Sequence, residues 1–178
     1  MSELIPKSAE IPDSDYVVVG GTGDLALRKI FPALFWRYLA GQITTEFRLI
    51  VAARSSMSVD EFAGKLRPFC ADAIADEENG EDHWTGFIAL VRIVALDVVS
   101  GEGGAELAEL VNRRLSPERP LIFYLAIAPT LFGAACETIA KHGLAVPQSR
   151  LVVEKPLGND GASARAINKL LLDVFDEA

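Results

Sequence analysis

Tyr16-Val17-Val18-Val19-Gly20-Gly21-Thr22-Gly23-Asp24-Leu25-Ala26 is the stretch that decides the fold. Its first four residues form a short apolar strand that runs directly into glycines. After the glycines, Leu27, Ile30, Phe31, Leu34, Phe35 and Tyr38 recur at the spacing of one helix face. Pro32 lies inside that run and predicts a kink or a split into two helical pieces. Gly41 closes it. Gly21-Thr22-Gly23-Asp24-Leu25-Ala26 fits the pattern G-x-G-x-x-A. Small residues there let the backbone approach a pyrophosphate, and the helix N-terminus adds N–H donors and a partial positive charge. In isolation the pattern also suits an ordinary tight turn; its place after the first strand of a βαβ unit favours dinucleotide binding. Asp24 has a second reading, as a cap of the helix start.

Working outward, strands and helical patterns alternate. Phe47 to Ala53 is a second strand, and Ser58-Val59-Asp60-Glu61 is a capping box that opens a helix to about Cys70. Asp72 to Asp82 is acidic and is expected to be a solvated loop or helix end. Leu90 to Leu96 is a third strand, interrupted by Arg92. Leu107, Leu110, Val111 and Leu115 share a helix face. Leu121 to Ala128 is a fourth strand, continuous and apolar, as a strand covered on both faces should be. Thr130 to His142 is a helix stopped by Gly143, and Arg150 to Val153 is a fifth strand. Ile167, Leu170, Leu171, Val174 and Phe175 mark a last helix. The expected fold is α/β, a Rossmann-like, doubly wound and mainly parallel sheet with helices on both faces. Residues 1–14 read as a tail and 15–178 as one dinucleotide-binding domain.

The chain has 178 residues, half of them apolar, which excludes global disorder. Its 17 basic side chains against 25 acidic ones leave a formal charge of −8. That argues against nucleic-acid or anionic-membrane partners. Cys70 and Cys136 lie far apart, with neither a CxxC nor a Cys/His cluster, so no metal site is expected. The first residues lack the basic start and apolar core of a signal peptide. A reduced, cytoplasmic location is the expectation.

The end of the second strand bears on which dinucleotide is bound. NAD-selective folds place a carboxylate there for the ribose 2′-hydroxyl. Here the strand ends Ala52-Ala53-Arg54-Ser55-Ser56. A guanidinium and two hydroxyls suit a 2′-phosphate, so NADP is expected, with Arg54 as its contact. On spacing alone a surface arginine in a loop remains the other reading.

These residues resemble the glucose-6-phosphate dehydrogenase family. The resemblance is carried by Gly20 to Ala26 with Arg28-Lys29-Ile30-Phe31-Pro32, and by Ala53-Arg54-Ser55. It returns in Ile122-Phe123-Tyr124-Leu125-Ala126-Ile127-Ala128-Pro129 and in Glu154-Lys155-Pro156-Leu157-Gly158. It implies NADP-linked oxidation of glucose 6-phosphate to the lactone, at the entry to the pentose phosphate pathway. By motif matching, Gly20, Gly21, Thr22, Gly23, Asp24, Leu25, Ala26 and Leu27 are the coenzyme turn, and Arg54 meets the 2′-phosphate. Asp97 and Val98 line the coenzyme cleft, and Lys155 reaches both coenzyme and sugar phosphate. Lys155 also has a case from position, since it follows the carboxyl end of a strand, where such sheets bind ligands. Pro129 reads either as a shaper of the cleft floor or as a strand terminator.

Sugar oxidation needs a base for the hydroxyl proton while hydride leaves for the nicotinamide. Only His83 and His142 are available, one in the acidic stretch and one at a helix end. Neither matches the histidines that the resemblance implies, which lie in a segment beyond Ala178. No catalytic residue is therefore assigned. The expectation is a coenzyme-binding domain without its substrate and catalytic domain, binding NADP but not turning over. The parent would be a homo-oligomer through the missing domain. The alternative is a stand-alone nucleotide-binding module. A short-chain epimerase or reductase fits less well, because Tyr124 is followed by Ala128 where that type needs lysine.

Overall fold

The computed structural model describes residues 11–154 together with 165, 167–169, 171 and 175. Five strands form one sheet: β1 (Asp15–Val19), β2 (Arg48–Ala53), β3 (Val91–Ala95), β4 (Leu121–Leu125) and β5 (Ser149–Val153). Their spatial order is β3-β2-β1-β4-β5 and every pair is parallel. The first three strands are laid down in one direction from β1 and the last two in the other. The doubly wound expectation is met.

Side-chain alternation along β1 sorts the core into two layers. Val18 faces α1 (Phe31–Leu39), α2 (Val59–Leu66), α3 (Ala71–Asp76) and α4 (Gly80–Ala89). Val17 and Val19 face α5 (Gly104–Asn112) and α6 (Phe132–Lys141). Phe31, Phe35, Phe62 and Phe87 fill the first layer, where Phe31 meets Phe62 edge-on at 5.0 Å between ring centres. Phe123, Phe132, Leu107 and Phe175 fill the second.

Pro32 does divide its helix. Residues 26–30 form a π-turn in which the Phe31 N–H donates to the Ala26 carbonyl, and α1 follows directly. A proline ring crowds the carbonyl four residues back and offers no N–H; a widened turn before it removes the conflict. Pro68 acts similarly. It ends α2 at Leu66 and leaves a short 3-10 turn, Arg67–Phe69, where the sequence suggested helix to Cys70. The Ser58–Glu61 capping box is present in both directions.

Two expectations need correction. The acidic stretch, expected as a solvated loop or helix end, keeps its carboxylates exposed but is more helical than that, for it builds most of α3 and the start of α4. Asn79, with φ of 60°, turns the chain between them. Gly80 then passes so close that a Cβ would lie 1.9 Å from the Ile74 carbonyl oxygen. Trp84 and Phe87 of α4 bury against Phe35 and balance its acidic surface. The fourth strand ends at Leu125, not at Ala128. The Ala126 N–H still reaches the Val19 carbonyl, but β1 leaves the sheet at Gly20, so the next residues have no neighbouring strand. Of the expected last helix, Ile167 and Leu171 pack on the second layer; Leu170 and Val174 lie outside the described residues.

The amino edge of the sheet is tied by charge. Asp15 begins β1 opposite Arg48 of β2, and both are buried. The Asp15 carboxylate accepts from Arg48 Nε at 2.8 Å, from Arg48 Nη2, and from Arg119 Nε at 3.0 Å. Arg48 Nη1 also donates to the Leu110 carbonyl, and Arg119 Nη2 to the Glu46 and Ser14 carbonyls.

Candidate functional site

The carboxyl ends of all five strands point to one edge, and the direction of winding reverses between β1 and β4. In open parallel sheets that reversal opens a crevice. One wall of it is the glycine turn. Gly20 sits at φ of 80°, and a Cβ on it would lie 2.6 Å from the Ala126 carbonyl oxygen and 2.7 Å from Ile127 Cγ2. A Cβ on Gly21 would meet Val51 Cγ1 at 2.7 Å, and one on Gly23 would meet the Gly20 carbonyl at 3.2 Å. The left-handed residue is thus Gly20, one position ahead of the G-x-G-x-x-A match. The Gly20 and Gly21 N–H groups both donate to the Ala52 carbonyl, which ties the turn to the exit of β2. Ala26 is wholly buried, so the helix packs closely on the sheet, as the third small position of the pattern requires.

A helix starts at Asp24, and its first N–H groups have no partners within the helix. No side chain caps the start of the π-turn. Asp24 does not cap; its carboxylate pairs with Arg28 one turn on, and both are exposed. The Gly20, Gly21 and Gly23 N–H groups are engaged within the turn and with Ala52, whereas those of Asp24 and Leu25 have no hydrogen-bond partner among the described residues. Thr22, Gly23, Leu25 and Leu27 line this turn at partial or full exposure. A cradle whose Cβ positions are already filled, with free donors at a helix start, fits a dinucleotide pyrophosphate.

Arg54 is exposed one residue beyond β2, beside exposed Ser55 and Ser56, and makes no hydrogen bond or ion pair among the described residues. No carboxylate follows β2 there. Asp97 and Val98 follow β3, as expected, but the Asp97 carboxylate serves its own loop. It accepts from the Val99 N–H at 2.8 Å and the Ser100 N–H at 3.3 Å. Val98 is buried and its carbonyl takes the Thr138 hydroxyl. Pro129 opens a 3-10 turn, Pro129–Leu131, that leads into α6, so it is a helix starter at the rim. Lys155 lies outside the described residues, as do Pro156 to Gly158.

Of the two histidines, His142 is at a helix end as expected and His83 is not in a loop. His83 is on α4, with its ring 6.4 Å from that of Tyr38. His142 ends α6 and packs over Gly104; its Nε2 is buried without a partner among the described residues. Neither ring is among the nearest neighbours of Gly20, Gly21 or Gly23.

A contact that the sequence did not disclose joins β4 to the end of β5. The Tyr124 hydroxyl donates to the Glu154 carboxylate. Tyr124 is opposite Val152 in register, so Tyr124, Val152 and Glu154 share one face of the sheet. Tyr124 is buried and its phenol pKa is raised, first by burial and then by the carboxylate it bonds. Tyr16, whose ring lies 6.3 Å away, is pushed up to about 12 by burial.

Comparison with known proteins places this architecture. Residues 17–178 match the family model described as "Glucose-6-phosphate dehydrogenase, NAD binding domain". Glucose-6-phosphate 1-dehydrogenase of Rhizobium meliloti is 39% identical over 180 residues, covering 99% of this chain and 35% of the relative. That of Gluconobacter oxydans is 34% identical over 170 residues, covering 94% and 34%. Among solved structures, glucose-6-phosphate 1-dehydrogenase from Mycobacterium avium superposes with a TM-score of 0.79 at 27% identity, over 93% of this chain and 35% of that one. A glucose-6-phosphate dehydrogenase in complex with glucose 6-phosphate also gives 0.79, at 28% identity and over 95% and 36%. The chain thus spans about a third of the length of these relatives. With a parallel sheet, a glycine cradle at its reversal point and a match over nearly all its residues, the chain belongs to the glucose-6-phosphate dehydrogenase NAD binding domain family.

Proposed function

We propose that this chain is the coenzyme-binding part of an NADP-linked glucose-6-phosphate 1-dehydrogenase, and that by itself it binds coenzyme without turning over. The observation that carries the reading is the cradle at Gly20, Gly21 and Gly23. Side chains on Gly20 and Gly21 would strike Ala126, Ile127 and Val51, whereas the Asp24 and Leu25 N–H groups at the helix start have no partner among the described residues. Gly20 to Leu27 would hold the pyrophosphate, and Asp97 and Val98 would border the cleft through their backbone. When bound, the coenzyme supplies a hydride acceptor. The chain's own residues orient it and supply positive charge.

The preference for NADP over NAD rests on Arg54. It is exposed, unpaired among the described residues, and free to meet a 2′-phosphate where a carboxylate would repel it. Lys155, outside the described residues, would contact both coenzyme and sugar phosphate, as the resemblance implies. Neither histidine is poised as a base at the glycine turn, so substrate oxidation is assigned to the longer parent protein, which would be an oxidoreductase of glucose metabolism.

Titrating the purified chain with NADP+ and NAD+, before and after Arg54→Ala, tests the coenzyme reading. The expected result is a preference for NADP+ that falls about tenfold or more in the variant, the scale of one lost charge-assisted contact. An unchanged ratio removes Arg54 from the site. Reduced coenzyme accumulating from glucose 6-phosphate with this chain alone would refute the division of labour.

A further inference from the structure

We propose that Asn79 is a site of spontaneous covalent modification, metered by the turn between α3 and α4. When that turn opens, the side-chain amide is lost and the backbone is re-routed; while it stays closed, the reaction is held off.

The chemistry begins with the dipeptide. Of the chain's four asparagines, Asn112, Asn159 and Asn168 precede arginine, aspartate and lysine, whereas Asn79 precedes glycine. A backbone nitrogen can attack the side-chain carbonyl carbon of the asparagine before it. The new C–N bond closes a five-membered succinimide. The side-chain nitrogen takes up the proton that the backbone nitrogen gives up, and leaves as ammonia. Water then opens the ring at either carbonyl, giving aspartate or isoaspartate. One water enters, one ammonia leaves, and nothing is oxidised or reduced. Glycine in the attacking position favours ring closure, because no Cβ crowds its nitrogen. Asn79 is exposed, so water and hydroxide reach it.

The fold sets this dipeptide in a conformation that does not react. Asn79 is held at φ 60° and ψ 31°, and among the described residues it alone, glycines aside, has a positive φ. At that ψ the Gly80 nitrogen lies across the Cα–C bond from the Asn79 Cβ. Ring closure needs most of a half-turn about that bond. The Gly80 N–H is also occupied, donating to the Glu77 carbonyl at 3.1 Å. Turning the bond is costly because α4 starts at Gly80. The Asn79 carbonyl accepts from the Asp82 and His83 N–H groups at 3.0 and 3.1 Å, and both bonds would be lost. Trp84 and Phe87 would be drawn away from Phe35, and Arg67 from Glu81 and the Trp84 ring. The reaction therefore waits on a local opening that frees α4 from the core.

Isoaspartate would make that opening permanent. It puts a side-chain carbon into the main chain and lengthens the link between α3 and α4 by one atom. Gly80 has no room for a displaced link, since it already passes too close to the Ile74 carbonyl for a Cβ. The new carboxylate also adds charge beside Glu77, Glu78, Glu81 and Asp82.

The test ages the chain at pH 8, folded and in guanidinium chloride, and follows each asparagine by peptide mass spectrometry, with isoaspartate identified by enzymatic methylation. In denaturant, Asn79 should convert ahead of the other three. In the folded chain it should convert about tenfold or more slowly, because each event requires a sub-global opening. Trp84→Leu, which removes the ring from Phe35, should raise the folded rate and leave the denatured rate unchanged. Should Trp84→Leu fail to fold, wild-type chain in denaturant below its unfolding transition makes the same comparison. Asn79→Gly suits a φ near 60° and lacks the amide. After ageing in denaturant and refolding, it should keep its urea midpoint, whereas the wild-type midpoint falls. Folded conversion as fast as denatured conversion overturns the metering. Another asparagine leading in denaturant overturns the site. An equal loss of midpoint in Asn79→Gly overturns the structural consequence.

Discussion

The two edges of the sheet are built on opposite principles. At the amino edge, Asp15 is surrounded by two guanidiniums, and those guanidiniums spend their remaining donors on the Leu110, Ser14 and Glu46 carbonyls. Charge there is buried and engaged. At the carboxyl edge, the glycine turn has little side chain to engage, the helix start is uncapped, and Arg54 has no partner among the described residues. The first edge holds β1, β2 and the segment before β4 in register. The second leaves Arg54 and the N–H groups of Asp24 and Leu25 free among the described residues. A sheet that must both persist and bind benefits from separating the two, since a donor satisfied internally is lost to a ligand.

The sharpest way to break the comparison is Asp15→Ala. It leaves Arg48 and Arg119 charged and without their carboxylate. Removing one partner of a buried ion network costs about 3–5 kcal/mol. Urea unfolding should show most of the chain's stability gone; a loss under about 1 kcal/mol would mean the edge is held by backbone pairing alone. Gly20→Val should come next and act at the other edge. The residue would have to adopt φ near 80° with its Cβ against the Ala126 carbonyl. A cost of about 2–3 kcal/mol is expected from strain and displacement, together with loss of NADP+ binding by titration calorimetry. Binding that survives would move the coenzyme away from this turn.

How far these edges were legible differs with how local their causes are. The glycine turn could be found because the strand, the small residues and the helix face are consecutive. The Asp15 network could not, because its members come from β1, β2 and the loop before β4, and each alone looks like a charge at an element boundary. Tyr124 and Glu154 stand thirty positions apart. Their meeting depends on the parallel register of β4 and β5, which no pattern within either strand encodes. The helix α4 was hidden for another reason. Acidic residues at its start suggested solvent, while the Trp84 and Phe87 that bury it are explained only by Phe35 on α1.

A pH experiment sharpens the contrast between the core and its exposed rim. Burial pushes the Cys70 thiol up to about 12 and the Cys136 thiol up to about 11, and Tyr16 up to about 12. In the unfolded chain these groups ionise near their ordinary values of about 8.5 for thiols and 10 for phenols. Between those values and the raised ones the unfolded state holds fewer protons, so stability falls as pH rises. Urea midpoints should be level around pH 7 and decline above about pH 9. Native thiols should also resist alkylation at pH 8; rapid labelling would contradict their burial. The smallest effect belongs to Asp24→Ala, whose partner Arg28 is equally exposed. Such pairs contribute about 0–1 kcal/mol, so thermal melting should barely shift.

The π-turn ahead of α1 has a mechanical consequence. It inserts one residue of phase into the helix, about 100° of rotation about the axis. The segment that carries the glycine turn's donors is thereby aimed independently of the segment that places Phe31 and Phe35 in the core. Each end keeps its own bearing, like two shafts joined at a set offset. Deleting a single residue between Ala26 and Ile30 would leave both halves helical and rotate one against the other, misdirecting the donors without removing any of them.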